Sequence, residues 1–314
     1  MRSEFERVIQ WERFQEYQFL NGVWLKGKIA DQRYANNFGL QWNTFQTTQF
    51  DSKTGSQATA NRLFGCSGWH PSSLKNKLVL EVGSGAGRFT EVLLKHGAYV
   101  VSTDISNAVF ANARNNSSDR LLLIREDIGN LPLVEKGFDY VLGYGVMQHT
   151  PKPEESYLSC VRRVKEDGLC SFDHYRKIIW PRPMHLPKYI WRPITRRVDP
   201  ELLLKLIRWY IPIYFPIDET LRKIPKIGNT LRGIIPIPCY NYSGSADTSN
   251  DKHYLLELAI LDTFDALSAR YDIPWNIGKL YHLACKLNVK SFHLGFGGNG
   301  LVLNTFGNCN EVIR

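Results

Sequence analysis

From residue 77 onward, short apolar runs alternate with amphipathic stretches. Lys77–Val82 is an apolar run of strand length, followed by a glycine turn over Gly83–Gly87. Arg88–His96 places Phe89, Val92 and Leu93 at helical spacing and stops at Gly97. Tyr99–Thr103 is a β-branched strand ending at Asp104, and Asn107–Asn115 a helix. Leu121–Arg125 is a strand running into Glu126-Asp127, and Phe138–Leu142 is another. Pro153–Val164 opens as a helix on a proline and two glutamates, which suit the positive helix start. Leu169–His174 is a fifth strand. This alternation predicts right-handed βαβ units and a parallel sheet. Helices over Tyr254–Ala269 and Gly278–Leu287 follow, then two strands, Val289–Leu294 and Leu301–Thr305, joined as a hairpin around Gly297-Gly298-Asn299-Gly300. Residues 1–70 are polar and aromatic with weak periodicity, and read as an ordered arm or lid. The expected organisation is an arm over 1–70, a core over 71–175, a helical insertion over 176–250, and C-terminal helices with a closing hairpin over 251–314.

Charge sharpens that division. Residues 175–240 hold thirteen Lys/Arg against four acids, so the whole net charge of +9 lies there, with ten of the fifteen prolines. Within it Pro200–Tyr210 reads as a helix with Leu203, Leu206, Ile207 and Tyr210 along one side. A basic, aromatic and amphipathic insert suits an anionic membrane surface, on which Leu203, Ile207 and Tyr210 would insert shallowly. The competing expectation is a lid whose apolar side packs on the domain over an acceptor. The six cysteines are scattered, which excludes a zinc ribbon or disulfide scaffold and suits a reducing compartment. No apolar run reaches the roughly 20 residues a membrane helix needs, and the first residues show no signal-peptide pattern. The expected location is cytoplasmic, with peripheral contact at the inner membrane face.

The sharpest motif is Glu81-Val82-Gly83-Ser84-Gly85-Ala86-Gly87-Arg88, a strand running into a glycine turn and then a helix. Such a turn lets backbone approach a ligand outside the carboxyl ends of the strands. Dinucleotide sites want G-x-G-x-x-G, and here Arg88 stands where the last glycine would be. Glu81, just before the turn, suits an ammonium and sulfonium ligand better than a pyrophosphate. Asp104, ending the next strand, is placed to accept both ribose hydroxyls, and Asp127 to bind an adenine amino group between Ile105 and Ile128.

Glu81-x-Gly83-x-Gly85-x-Gly87, Asp104, Asp127-Ile128, Phe138-Asp139-Tyr140-Val141 and Val146-Met147-Gln148-His149-Thr150-Pro151 together resemble the core of class I S-adenosylmethionine-dependent methyltransferases. The resemblance covers residues 77–175. It implies an α/β, Rossmann-like fold, a seven-stranded mostly parallel sheet with a terminal β-hairpin, S-adenosyl-L-methionine as cofactor, and methyl transfer. Phe38-Gly39-Leu40-Gln41-Trp42 and the tail motifs around Asp262, Asp265 and Gly297–Gly300 resemble a bacterial subgroup met in cell-envelope and polysaccharide pathways.

A methyl group already activated by its cofactor needs mainly alignment of the acceptor, with a base only where the acceptor must lose a proton. Candidate catalytic groups are His149, after the fourth strand, His174, ending the fifth, and Tyr144. Arg88 is a candidate for the cofactor carboxylate, and Trp42 for a lid over the cofactor. Asp262 and Asp265, three apart on one helix, share a face that serves either a polar acceptor such as a sugar or solvent. No metal-ligand cluster is recognisable. The leading expectation is methyl transfer to a small molecule, a saccharide or a lipid-linked acceptor. An RNA or protein methyltransferase ranks below it, because Tyr144-Gly145-Val146-Met147 stands where nucleic-acid amino-methylating enzymes carry Asn/Asp-Pro-Pro-aromatic, and no RNA-binding motif is present. A non-catalytic adenosyl-binding scaffold and a nicotinamide dehydrogenase are the remaining alternatives; no DNA contact is expected.

Overall fold

The computed structural model describes residues 2–27, 32–177, 186–224, 227–244 and 251–308. The strands are β1 (Tyr17–Leu20), β2 (Val23–Lys26), β3 (Leu78–Val82), β4 (Tyr99–Asp104), β5 (Leu121–Arg125), β6 (Phe138–Gly143), β7 (Val164–Tyr175), β8 (Ser291–Gly297) and β9 (Gly300–Phe306). They form one sheet in the order β1-β2-β5-β4-β3-β6-β7-β9-β8. Strands β2 to β7 pair in parallel, and β9 pairs antiparallel with both β7 and β8. Strand order reverses between β3 and β6, which opens a crevice at their carboxyl ends.

The seven strands β3 to β9 are those expected; the other two come from the N-terminal segment. Asn21-Gly22 joins β1 to β2 with both residues at positive φ, 49° and 85°, the geometry of a two-residue hairpin turn. Val23 is fully buried and β2 extends the sheet beside β5. Part of the segment read as an arm is therefore sheet.

Alternate strand residues feed two cores. Leu80 and Val82 pack with Tyr157, Val161, Leu280 and Leu283, from the helices Pro153–Val161 and Ile277–Lys286. Val79, Val100 and Leu142 pack on the opposite face with Leu63, Phe89, Val92 and Leu93, from Ala58–Ser67 and Arg88–Lys95.

A third core lies in the insert. Asp199 caps a helix over Pro200–Lys223, accepting from the amides of Glu201 at 3.0 Å and Leu202 at 3.1 Å. The helix runs through Pro212 and Pro216, well beyond Tyr210. Leu203, Leu204, Ile207, Ile211 and Phe215 are buried in a cluster with Leu255, Leu258, Leu261 and Phe264 of the helix Lys252–Ser268. The face expected to dip into a membrane, Leu203, Ile207 and Tyr210, is thus turned inward: two of the three are core and Tyr210 packs against the same cluster. Several cations are also spent internally. Lys188 and Arg192 pair with the buried Asp272, and the Arg192 guanidinium donates to the carbonyls of Ala266 at 2.8 Å and Ala269 at 2.7 Å, at the negative end of the helix Lys252–Ser268. Arg232 pairs with Asp218, and Arg208 with Glu257. Trp180, Arg182 and Lys226 lie outside the described residues.

Candidate active site

A cavity of about 1300 Å³ lies over the carboxyl ends of β3 to β7. Ligand pockets usually hold roughly 300–1,000 Å³, so there is room here for two molecules side by side. One end is built from Gly83–Ala86 and the strand-end pairs Asp104-Ile105 and Asp127-Ile128. The rest of the lining includes Tyr175, Lys188, Tyr189, Tyr240, Tyr242, Asp262 and Asp265.

The glycine turn is shaped first by the protein itself. A Cβ on Gly87, at φ 92°, would sit 2.2 Å from Asn112 Oδ1; one on Gly85 would meet the Trp42 indole nitrogen at 3.0 Å. Trp42 therefore lies across the loop and lines the cavity, whereas Gly87 starts the helix Arg88–Lys95 and does not line it. Gly83 is packed under Val146.

Asp104 ties the loop to the sheet. Its carboxylate accepts from the Gly85 amide at 2.9 Å, the Ser106 amide at 2.8 Å and the Ser106 hydroxyl at 2.7 Å. A carboxylate offers about four acceptor sites, so capacity for one further donor remains rather than for the expected two. Burial raises its pKa, partly offset by these donors. Asp127 accepts from the Gly129 amide at 2.7 Å and the Tyr34 hydroxyl at 3.2 Å. Ile105, Ile128 and Glu126 complete this end. Three carboxylates and two isoleucines accept hydroxyl and amino hydrogens and grip a planar base, and they would repel a pyrophosphate. This set of acceptors fits an adenosyl group with a cationic sulfonium.

Besides Gly87, two expected site residues are elsewhere. Glu81 is buried beneath the loop, where it accepts from Ser102 at 2.8 Å and from Thr90, and it does not line the cavity. Burial lifts its pKa to about 7. It braces β3, β4 and the helix Arg88–Lys95. His174 is fully buried between Tyr157 and Trp275, its ring centroid 4.3 Å from that of Trp275. Its Nε2–H donates to the Ile273 carbonyl at 2.8 Å, so Nδ1 accepts from the Tyr157 hydroxyl at 3.1 Å. Burial lowers its pKa to about 4. His174 is a packing residue with both nitrogens committed.

His149 does line the cavity, between the rings of Phe38 and Tyr175. Its Nδ1 is 2.8 Å from the Tyr271 carbonyl, which can only accept, so Nδ1 holds the proton and Nε2 is the basic nitrogen. Tyr144 lines the cavity with its hydroxyl 2.6 Å from Ser171 Oγ. Burial moves its pKa up, away from ionisation. Arg88 also lines the cavity, over the Phe89 ring, and burial brings its pKa down to about 10.

The rest of the lining holds residues whose place the sequence pattern leaves open or does not mark. Asp262 and Asp265 face the cavity, not bulk solvent. Tyr242 donates to Asp262, and Tyr175 donates to Asp265 at 3.3 Å. Burial, with Asp265 close by, raises the Asp262 pKa to about 6 against the Tyr242 hydrogen bond. Arg62 pairs with the buried Asp173, which also accepts from the Gly145 amide at 2.6 Å and so holds the loop after β6. Arg62 carried no motif signal; Tyr240 and Tyr242 stood within the insert's aromatic residues, with nothing local to set them apart.

A glycine turn, successive acidic strand ends and a sheet that reverses at its first core strand are features that class I methyltransferase domains share. Residues 80–172 match the family described as methyltransferase domain, and S-adenosyl-L-methionine is the cofactor of such a domain. Over 103 residues the chain is 31% identical to the ubiquinone biosynthesis O-methyltransferase of Coxiella burnetii, covering 32% of this chain and 44% of that one. Over 155 residues it is 30% identical to the demethylmenaquinone methyltransferase of Tropheryma whipplei, covering 48% and 65%. The match thus spans less than half the length of the first of these relatives. Among solved structures, a putative S-adenosyl-L-methionine-dependent methyltransferase from Methanococcus maripaludis aligns over 91% of this chain and all of its own, at 13% identity and a TM-score of 0.48.

Proposed function

We propose that the chain is an S-adenosylmethionine-dependent methyltransferase acting on a hydroxyl of a small-molecule, saccharide or lipid-linked acceptor, in the cell-envelope setting that its arm and tail motifs resemble. The observation that carries the acceptor chemistry is the pair of Tyr–Asp contacts, Tyr242 on Asp262 and Tyr175 on Asp265, both lining the cavity. Two carboxylates and several phenols converging on a cavity suit a ligand with more than one hydroxyl. One relative is an O-methyltransferase by name, in keeping with that choice.

Bound beside the glycine turn, S-adenosylmethionine supplies a methyl group activated as a sulfonium. The chain's own task is then to align the acceptor oxygen and remove its proton. Asp265 and the tyrosines hold the acceptor's hydroxyls. Asp262 or His149 Nε2 takes the proton of the acceptor hydroxyl. Trp42 and Phe38 shield the cofactor end from water. The reading is tested by supplying labelled methionine to a strain with and without the gene and profiling its metabolites and glycans. A methylated, hydroxyl-bearing species absent from the deletion strain supports it; transfer to RNA or protein instead overturns the acceptor assignment.

A further inference from the structure

The helix Pro200–Lys223 has a second apolar face. Leu202, Leu206, Trp209, Ile213 and Ile217 recur every three or four residues opposite the buried stripe, and each is about half exposed or more, Trp209 at 71%. Pro212 and Pro216 are exposed on the same side. The neighbouring helix Leu186–Thr195 adds Tyr189, Ile190, Trp191 and Ile194, all exposed. Both helices are pinned to one segment: Trp191 Nε1 donates to the Pro236 carbonyl at 2.5 Å and the Tyr210 hydroxyl to Pro238 at 2.8 Å, with Ile237 exposed between. Twelve of the nineteen exposed large apolar residues described lie between Tyr189 and Ile237. A helix apolar on both sides is normally covered on both, and concentrated apolar exposure marks an interaction surface.

Charge selects the occupant. Arg196, Arg197 and Lys205 are exposed in the stretch that opens the stripe, outnumbering the exposed acids Asp199 and Glu201, and none of the three is paired with an acid among the described residues. No helix among the described residues is long and apolar enough to cross a membrane. Cations flanking an apolar face with exposed tryptophans match an interfacial helix, which sinks roughly 5–10 Å into the headgroup boundary. Tyr189 and Lys188, on the helix Leu186–Thr195, line the cavity, so the exposed face reaches the cavity mouth.

We propose that the face formed by Leu202, Leu206, Trp209, Ile213 and Ile217, with Tyr189, Ile190, Trp191 and Ile194, seats on an anionic bilayer and admits a lipid-borne acceptor to the cavity. The delivery step rests on the methyl-transfer reading; the seating does not. The test is co-sedimentation of the full chain with phosphatidylcholine vesicles, with and without phosphatidylglycerol, alongside cofactor calorimetry and light scattering. The wild type sediments with the anionic vesicles only, and less as salt shortens the Debye length from about 10 Å at 0.1 M to about 3 Å at 1 M. At about 1 kcal/mol per cation, the triple variant Arg196→Gln, Arg197→Gln, Lys205→Gln loses about a hundredfold in partitioning. Trp209→Ser with Ile213→Ser abolishes sedimentation while cofactor affinity is kept, because neither side chain is in a core. Equal recovery with neutral and anionic vesicles, or none with either, overturns the proposal. So does a concentration-dependent dimer that Trp209→Ser disperses without any vesicle binding, which would assign the face to a second copy. Loss of cofactor binding by the wild type would instead count against the methyl-transfer reading and leave the vesicle result standing.

Discussion

Asp262→Asn separates a functional carboxylate from a structural one without knowledge of the acceptor. In the fold its pKa is raised from 3.8 to about 6, chiefly by burial. A carboxyl whose folded pKa is raised stabilises the fold in its protonated form, fully so below the unfolded pKa. That contribution is lost as pH rises through about 6. The ionised form at neutral pH therefore costs at most about 3 kcal/mol, an upper bound because cavity water screens part of it. Asparagine keeps an acceptor for Tyr242 and removes the titration. Relative to wild type, the variant should gain about 1.4 kcal/mol of stability between about pH 5 and about pH 8. Thermal melting of both proteins across that range reads the difference, and comparison with wild type cancels the other titrating groups. Once an acceptor is known, turnover of Asp262→Asn should fall by about 10²-fold where Asp262, not His149, takes the proton. A stability difference independent of pH, or a variant less stable than wild type at about pH 8, would refute the reasoning.

If Asp262→Asn leaves turnover intact, His149 is the base, and His149→Ala should lower turnover by on the order of 10²-fold with cofactor affinity nearly unchanged, read by kinetics and calorimetry on one preparation. His174→Ala should do the reverse: it opens a hole between Tyr157 and Trp275 and lowers stability by about 3 kcal/mol, while cofactor affinity of the folded protein is retained. Gly87→Ala should not yield folded protein, since its Cβ would lie 2.2 Å from Asn112 Oδ1 at φ 92°; soluble expression and circular dichroism check this.

The parts of the site that could be read from the sequence are local. The turn at Gly83–Gly87 and the acids ending β4 and β5 sit at fixed places in strand–loop–helix units, so their position follows from the alternation alone. Glu81 belongs to the same motif, yet its side chain points beneath the loop to Thr90 and Ser102, because its place in β3 aims it away from the crevice. The N-terminal hairpin was readable from Asn21-Gly22 between two short runs, and aromatic composition masked it. Asp262 and Asp265 looked like a polar stripe because helical spacing cannot say what faces a stripe. The answer lies in the helix Pro200–Lys223 packing on the other side of Lys252–Ser268. The two faces of Pro200–Lys223 were indistinguishable by hydrophobicity, and packing decided which one turned inward.

The account depends most on what the cavity beside the glycine turn binds. Calorimetry of S-adenosylmethionine, its demethylated product and NAD with the wild type and Asp104→Ala tests that directly. Asp104 holds the Gly85 amide and lines the cavity beside the glycine turn. The account predicts binding of both adenosyl compounds, none of NAD, and a loss of about 1.5–3 kcal/mol, about ten- to a hundredfold in affinity, for Asp104→Ala. Tight NAD binding with no adenosylmethionine binding, or an Asp104→Ala variant that binds as wild type, would contradict it.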